Sequence, residues 1–138
     1  MNVVRLGEQH LGPDNRPPWC EVVGMGVFRI RPHATFDRHF HDSPEYWLFY
    51  EGKGKVSVDD ESYYVQGGDV VCTPAGSAHD IVEIYEELEG FYLEEPLPAG
   101  GTIGHQHRDS SDAEGHPVPL HPLPDDFPAG SRAGVIGA

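Results

Sequence analysis

The chain has 138 residues, 38% of them hydrophobic, with 17 glycines, 13 prolines and two cysteines. Nine Lys and Arg against 23 Asp and Glu give a formal net charge of −14. That length fits one domain with a modest core. The charge balance, with Arg29, Arg31 and Arg38 scattered and no basic patch, excludes a phosphate-backbone partner, and no apolar run approaches the roughly 20 residues of a membrane helix.

Residues 1–20 form a polar arm ending in Arg16-Pro17-Pro18-Trp19. The arm lacks the basic start and apolar stretch of a secretory leader, so a cytoplasmic location is expected. Residues 21–97 carry nearly all of the regular apolar pattern. Strands are predicted at 21–30, 45–51, 55–58, 62–65, 69–73, 79–84 and 89–94, rich in Val, Ile, Tyr and Phe and divided by Gly, Pro and Asp turns. Asp59-Asp60 stands where a two-residue hairpin turn belongs. Gly52 and Gly54 suit a turn between Glu51 and Lys55, and Gly67-Gly68 suits the next hairpin. A helical turn is conceivable only near 85–88. Many short strands in one small domain predict an all-β, single-domain jelly-roll barrel. Cys20 and Cys72 form no Cys-x-x-Cys pair; both are expected as free thiols, with Cys72 buried on a strand. Residues 98–138 are a Gly-, Pro- and His-rich tail, too poor in apolar residues to form a core of its own.

Nine histidines in so acidic a chain require a reason. His39-Phe40-His41 sets two imidazoles at the same-face spacing of a strand, and Glu45 follows on the next strand. His79 comes directly after the Pro74-Ala75-Gly76-Ser77 turn. Three neutral imidazoles and a carboxylate suit Fe(II), Mn(II), Ni(II) or Zn(II), and left without a metal they would make a poor core.

These residues resemble the cupin superfamily. Its first motif, Gly-x5-His-x-His-x3 or x4-Glu-x6-Gly, is matched by His39, His41, Glu45 and Gly52, with His33 at the offset of the leading glycine. Its second, Gly-x5-Pro-x-Gly-x2-His-x3-Asn, is matched by Gly68, Pro74, Gly76 and His79, with Glu83 in place of Asn. The resemblance spans about residues 21–95. It implies a cupin barrel holding one divalent transition metal per chain, Fe(II) or Mn(II) before Zn(II) or Ni(II), and a homodimer.

Strand alternation places Trp47 and Phe49 on the face of Glu45, and Ile81 and Glu83 on the face of His79. Trp47, Phe49 and Ile81 are thus the candidate pocket wall for a small molecule, or alternatively plain core. Glu83, a second carboxylate in an apolar cavity, is the candidate general acid or base, with Tyr85 next in line. Arg29 or Arg31 would hold a substrate carboxylate or pair with a surface acid. His105-Gln106-His107, His116 and His121 read as a solvated tail, with a lid or an adventitious metal site as the alternatives.

Two functional classes follow. One is a metal-dependent enzyme with dioxygenase, decarboxylase, lyase, isomerase or cyclase chemistry. The other is a non-catalytic ligand-binding or sensing barrel whose metal is structural or anchors the ligand.

Overall fold

Strands β3 (Glu45–Val58) and β6 (His79–Glu94) are 14 and 16 residues long and pair antiparallel from end to end. They form the spine of a computed structural model that describes residues 3–129. The remaining elements are β1 (Gly24–Ile30), β2 (Thr35–Phe36), β4 (Glu61–Gln66), β5 (Val70–Thr73), a 3-10 turn at Ser110–Glu114 and β7 (His116–Pro117). The first half of β3 carries β5, and the half of β6 opposite it carries β1; the second half of β3 carries β4. β2 and β7 make a separate two-stranded sheet. The result is an all-β jelly roll. No helix among the described residues is long and apolar enough to cross a membrane.

The predicted pairs 45–51/55–58 and 79–84/89–94 are each one continuous strand, and residues 85–88 are strand rather than helical turn. Gly52 makes the bend in β3 without interrupting it. It holds φ +92°, and a Cβ there would collide with the Glu87 carbonyl of the paired strand, so only glycine lets the bulge form. Gly54 has no such conformation. Asp59 takes φ +52° in the β3–β4 turn, a position Asp tolerates. His33, at the offset of the motif glycine, keeps φ +65° without being glycine.

Trp47, Phe49, Val56, Val65, Val71, Ile81, Ile84 and Leu88 form the core together with Ile30 and Val118. On β5, Val71 and Thr73 point inward and Cys72 outward, so this thiol is exposed rather than buried; both cysteines are free. The arm closes the free edge of β1 through an antiparallel bridge between Leu11 and Met25, and His10 Nδ1 meets the Tyr92 hydroxyl at 2.8 Å.

Up to residue 129 the tail is part of the fold; its remainder lies outside the described residues. Val118 is fully buried, the Val118 amide donates to the Ala34 carbonyl, Leu120 bridges Ile84, and Phe127 packs on Tyr64 and Tyr85. A few apolar residues set among many polar ones are enough to dock a segment when each meets an existing core. Val118→Ala is therefore expected to lower unfolding stability by about 1–3 kcal/mol, read as a lower urea midpoint. An unchanged midpoint would return the tail to solvent.

Candidate metal centre

His39 and His41 lie on the segment between β2 and β3, Glu45 opens β3, and His79 opens β6. Reciprocal backbone hydrogen bonds join the segment to β6: the His39 amide donates to the His79 carbonyl at 3.1 Å, and the His79 amide to the His39 carbonyl at 2.8 Å. The Pro74–Ser77 turn docks on the same segment, with the Gly76 amide donating to the His41 carbonyl at 2.8 Å. The four side chains converge, all are buried, and their donor atoms lie within 4.8 Å of one another.

The hydrogen bonds fix two tautomers. His39 Nδ1 donates to the Asp37 carbonyl at 2.5 Å and His79 Nδ1 to the Ser77 carbonyl at 3.1 Å, leaving Nε2 of each as the lone-pair nitrogen. His79 Nε2 lies 3.4 Å from Glu45 Oε1, and His41 Nδ1 lies 3.5 Å from Glu45 Oε2. Burial, reinforced by His79, pushes His39 down to about 3, and burial pushes His41 down to about 4. Both rings are neutral near pH 7, as ligation requires.

The donor set is incomplete as it stands. His41 Nδ1, His41 Nε2 and His79 Nε2 are buried with no hydrogen-bond partner among the described residues. Buried polar atoms left this way each cost about 1–3 kcal/mol. A cation bound by the Glu45 carboxylate and by one nitrogen from each imidazole satisfies His79 Nε2 and one nitrogen of His41, and three N and one O donor suit a divalent transition metal. The residues fit the metal site of a cupin.

Beside the cluster is a pocket of about 320 Å³, lined by Phe28, Ile30, Phe36, His39, Glu45, Trp47, Tyr92, Glu94 and His105. Trp47 is on this wall as expected. Phe49 and Ile81 are not; they are buried in the core. A wider groove of about 800 Å³ on the outside of β4 and β5 contains no histidine. Arg29 pairs with Glu89, its cross-strand neighbour, and neither Arg29 nor Arg31 reaches the small pocket.

Glu83 does not face the cavity. Between the pairs Val56↔Ile81 and Lys55↔Glu83 the register shifts, so Val82 is an extra residue and the inward parity of β6 changes. His79 and Ile81 are inward before the bulge; Ile84, Leu88 and Gly90 are inward after it. Glu83 is left beside Tyr85 and Tyr64, where burial and then the Glu83 carboxylate raise the Tyr85 hydroxyl. Tyr85 belongs to that cluster under the tail and does not line the pocket.

The succession of register shifts along β6 brings in a carboxylate that residue spacing does not reveal. Glu94, paired with Glu45 across the strands, lines the pocket with Oε1 3.4 Å from His41 Nε2. Burial, followed by the nearby Glu45, raises Glu94 to about 7. Composition marks His105 as solvated, yet its ring stacks on His39 with centroids 3.5 Å apart and planes within 5°. The only sequence signal for it is the second His-x-His.

Residues 26–92 match the Cupin_2 family model, described as a cupin domain. An uncharacterized protein, y4oW, of Sinorhizobium fredii is 34% identical over 100 residues, covering 62% of this chain; the chain spans about half of that curated relative, 46% of its length. Among solved structures, a Cupin 2 conserved barrel domain protein of Salinispora arenicola superposes with a TM-score of 0.55 at 19% identity, covering 69% of this chain and 88% of its own. A predicted oxalate decarboxylase of Thermotoga maritima superposes with a TM-score of 0.52 at 21% identity, covering 56% of this chain and 69% of its own. At these identities the structural likeness speaks to fold alone. With the jelly roll and both histidine motifs in place, residues 26–92 are a cupin domain of the Cupin_2 type.

Proposed function

We propose that this protein is a metal-dependent enzyme acting on a small molecule in the pocket beside His39, His41, Glu45 and His79. The observation that carries this reading is the unpartnered buried nitrogen of His79 and both of those of His41, beside a small and largely apolar pocket. Bound by the four residues, a divalent transition metal supplies Lewis acidity and open coordination positions for a bidentate substrate, or for a substrate with O2 or water.

The protein's own groups divide the remaining tasks. Asp37 and Ser77, through their carbonyls, orient His39 and His79. Phe28, Ile30, Phe36 and Trp47 exclude water from one side of the pocket. Glu94 Oε1 holds a proton at the pocket wall, the task that residue spacing assigns to Glu83. The choice among dioxygenase, decarboxylase, lyase, isomerase and cyclase chemistry is made by experiment. Turnover requiring O2 and iron selects a dioxygenase, and oxygen-independent turnover selects the others. Tight binding of a small molecule without turnover selects a ligand-binding barrel.

We also propose a cytoplasmic homodimer, packed through the outer sheet face. There Phe91, Leu48 and Val70 are cross-strand neighbours, all exposed, and Tyr50 packs on Phe91 at 5.3 Å. Leu48→Asp with Phe91→Asp is expected to give a folded monomer by sedimentation; a monomeric wild type would refute this interface.

Two further outcomes are expected. His79→Ala and Glu45→Ala should each lose the metal equivalent held by this cluster while circular dichroism stays β-rich; full occupancy in the double variant would overturn the ligand assignment. In metal-free protein, His39 and His41 have folded-state pKa values below the ordinary histidine value of about 6.5. The unfolded chain therefore binds protons first, and stability should fall as pH drops from about 6.5 toward 4. Urea midpoints at pH 7 and pH 5 check the direction. Once a substrate is identified, Glu94→Gln should lower turnover by about 10²-fold at unchanged metal content, whereas Glu83→Gln should leave it near wild type.

A further inference from the structure

The N-terminal arm reaches the pocket through one side chain. Reciprocal backbone hydrogen bonds between Leu11 and Met25, at 2.8 Å and 3.0 Å, fix the arm along β1. Asn15 secures the next turn: its Nδ2 donates to the His10 carbonyl at 2.8 Å, and its Oδ1 accepts from the Gly12 amide at 2.8 Å. Arg16 Nη1 donates to the Val22 carbonyl at 2.7 Å. His10 therefore stands on an ordered backbone although the residue is exposed.

Its ring lies over the pocket face of β1. Gly26, Phe28 and Ile30 share that face by strand alternation, and Phe28 and Ile30 line the pocket. In the ladder Tyr92 stands between Gly26 on β1 and Trp47 on β3, and both Tyr92 and Trp47 are pocket walls. The Tyr92 hydroxyl is 2.8 Å from His10 Nδ1, with the two ring centroids 5.9 Å apart.

Gly26 shows how closely these groups are packed. A Cβ there would stand 2.5 Å from His10 Nδ1 and 2.6 Å from Tyr92 Cε1. Gly26 has no positive φ, so what glycine supplies at this position is space rather than backbone freedom. The arm imidazole and the Tyr92 ring together fill the place of a side chain. A phenol ring with its hydroxyl tied to an anchored imidazole is a wall already in place. Untied, the ring has to be ordered by the ligand, and binding is weaker for it.

We propose that His10 is a positioning residue for the pocket: by holding Tyr92 in place it sets the preference of the site for ligands with an apolar group. This inference rests on the reading of the pocket as the seat of a metal-bound small molecule.

Binding of two hydroxamates to the Co(II)-loaded full chain, read from the visible spectrum of the ion, tests the proposal. Both probes carry the same bidentate head; acetohydroxamate adds a methyl group and benzohydroxamate a phenyl ring for the apolar walls. Wild type is expected to prefer benzohydroxamate. His10→Ala and Tyr92→Phe should each weaken benzohydroxamate by about 3- to 10-fold, the cost of ordering one freed side chain, with acetohydroxamate affinity and Co(II) content unchanged. The double variant should lose no more than either single one, since both remove the same hydrogen bond. Gly26→Ala, which displaces the pair from the β1 side with the arm sequence intact, should repeat the loss. The proposal is overturned by a wild type without preference, by unchanged benzohydroxamate affinity in His10→Ala, by additive losses in the double variant, or by equal losses for both probes. If any of these is found while acetohydroxamate still moves the wild-type spectrum, the metal-site reading stands and only this proposal fails. If neither hydroxamate moves that spectrum, the reading of a pocket beside a metal fails and this proposal falls with it.

Discussion

The backbone bridge between His39 and His79 is the constraint on which the site depends. It fastens the irregular segment that carries two ligand imidazoles to the strand that carries the third, and the Gly76 amide ties the intervening turn to His41. With these bonds made, three imidazoles and Glu45 are held together in a space with almost no access to water. The His39 and His41 rings are too buried to stay protonated near neutral pH, and the His41 and His79 nitrogens lack partners within the protein. The fold therefore gathers a donor set that fits a cation.

Extra residues in the β3–β6 ladder decide which acid joins that site. Strands alternate their side chains with a period of two, so a one-residue bulge exchanges the faces for everything beyond it. At Val82 the exchange takes Glu83 out toward Tyr85 and Tyr64, and after the further register shifts along β6 Glu94 stands beside Glu45 and His41. The cavity still holds a second carboxylate, but from the far end of the strand and from outside the family motif. The raised pKa of Glu94 comes from the same placement: burial first, and a second carboxylate directly across the ladder.

The tail shows how a polar segment becomes part of a core. Only a few of its residues are apolar, yet Val118 is fully buried and Phe127 covers Tyr64 and Tyr85. Between the pocket and these anchors, Asp37 draws in His105 and His107. A segment that spacing alone marks as solvated thereby reaches a ligand imidazole, because the surface it lands on was assembled by residues far away in the chain.

The sequence by itself determined the all-β class, the turn at Asp59-Asp60, the inward parity of Glu45, Trp47 and Phe49, and which four residues make the buried His/Glu cluster. Those features rest on local spacing: two-residue alternation along a strand, turn residues at fixed offsets, and ligand types within two short motifs. Only the tertiary structure decided that 45–58 and 79–94 are continuous strands, because the Gly52 bulge looks like a turn until its partner strand is in place. It also decided against Glu83, Phe49 and Ile81 at the pocket and in favour of Glu94, Phe28, Phe36, Tyr92 and His105. These outcomes depend on strand register and on contacts between residues distant in the chain. A bulge changes register at a cost set by the neighbouring strand, and neither the bulge nor that neighbour is visible in local spacing.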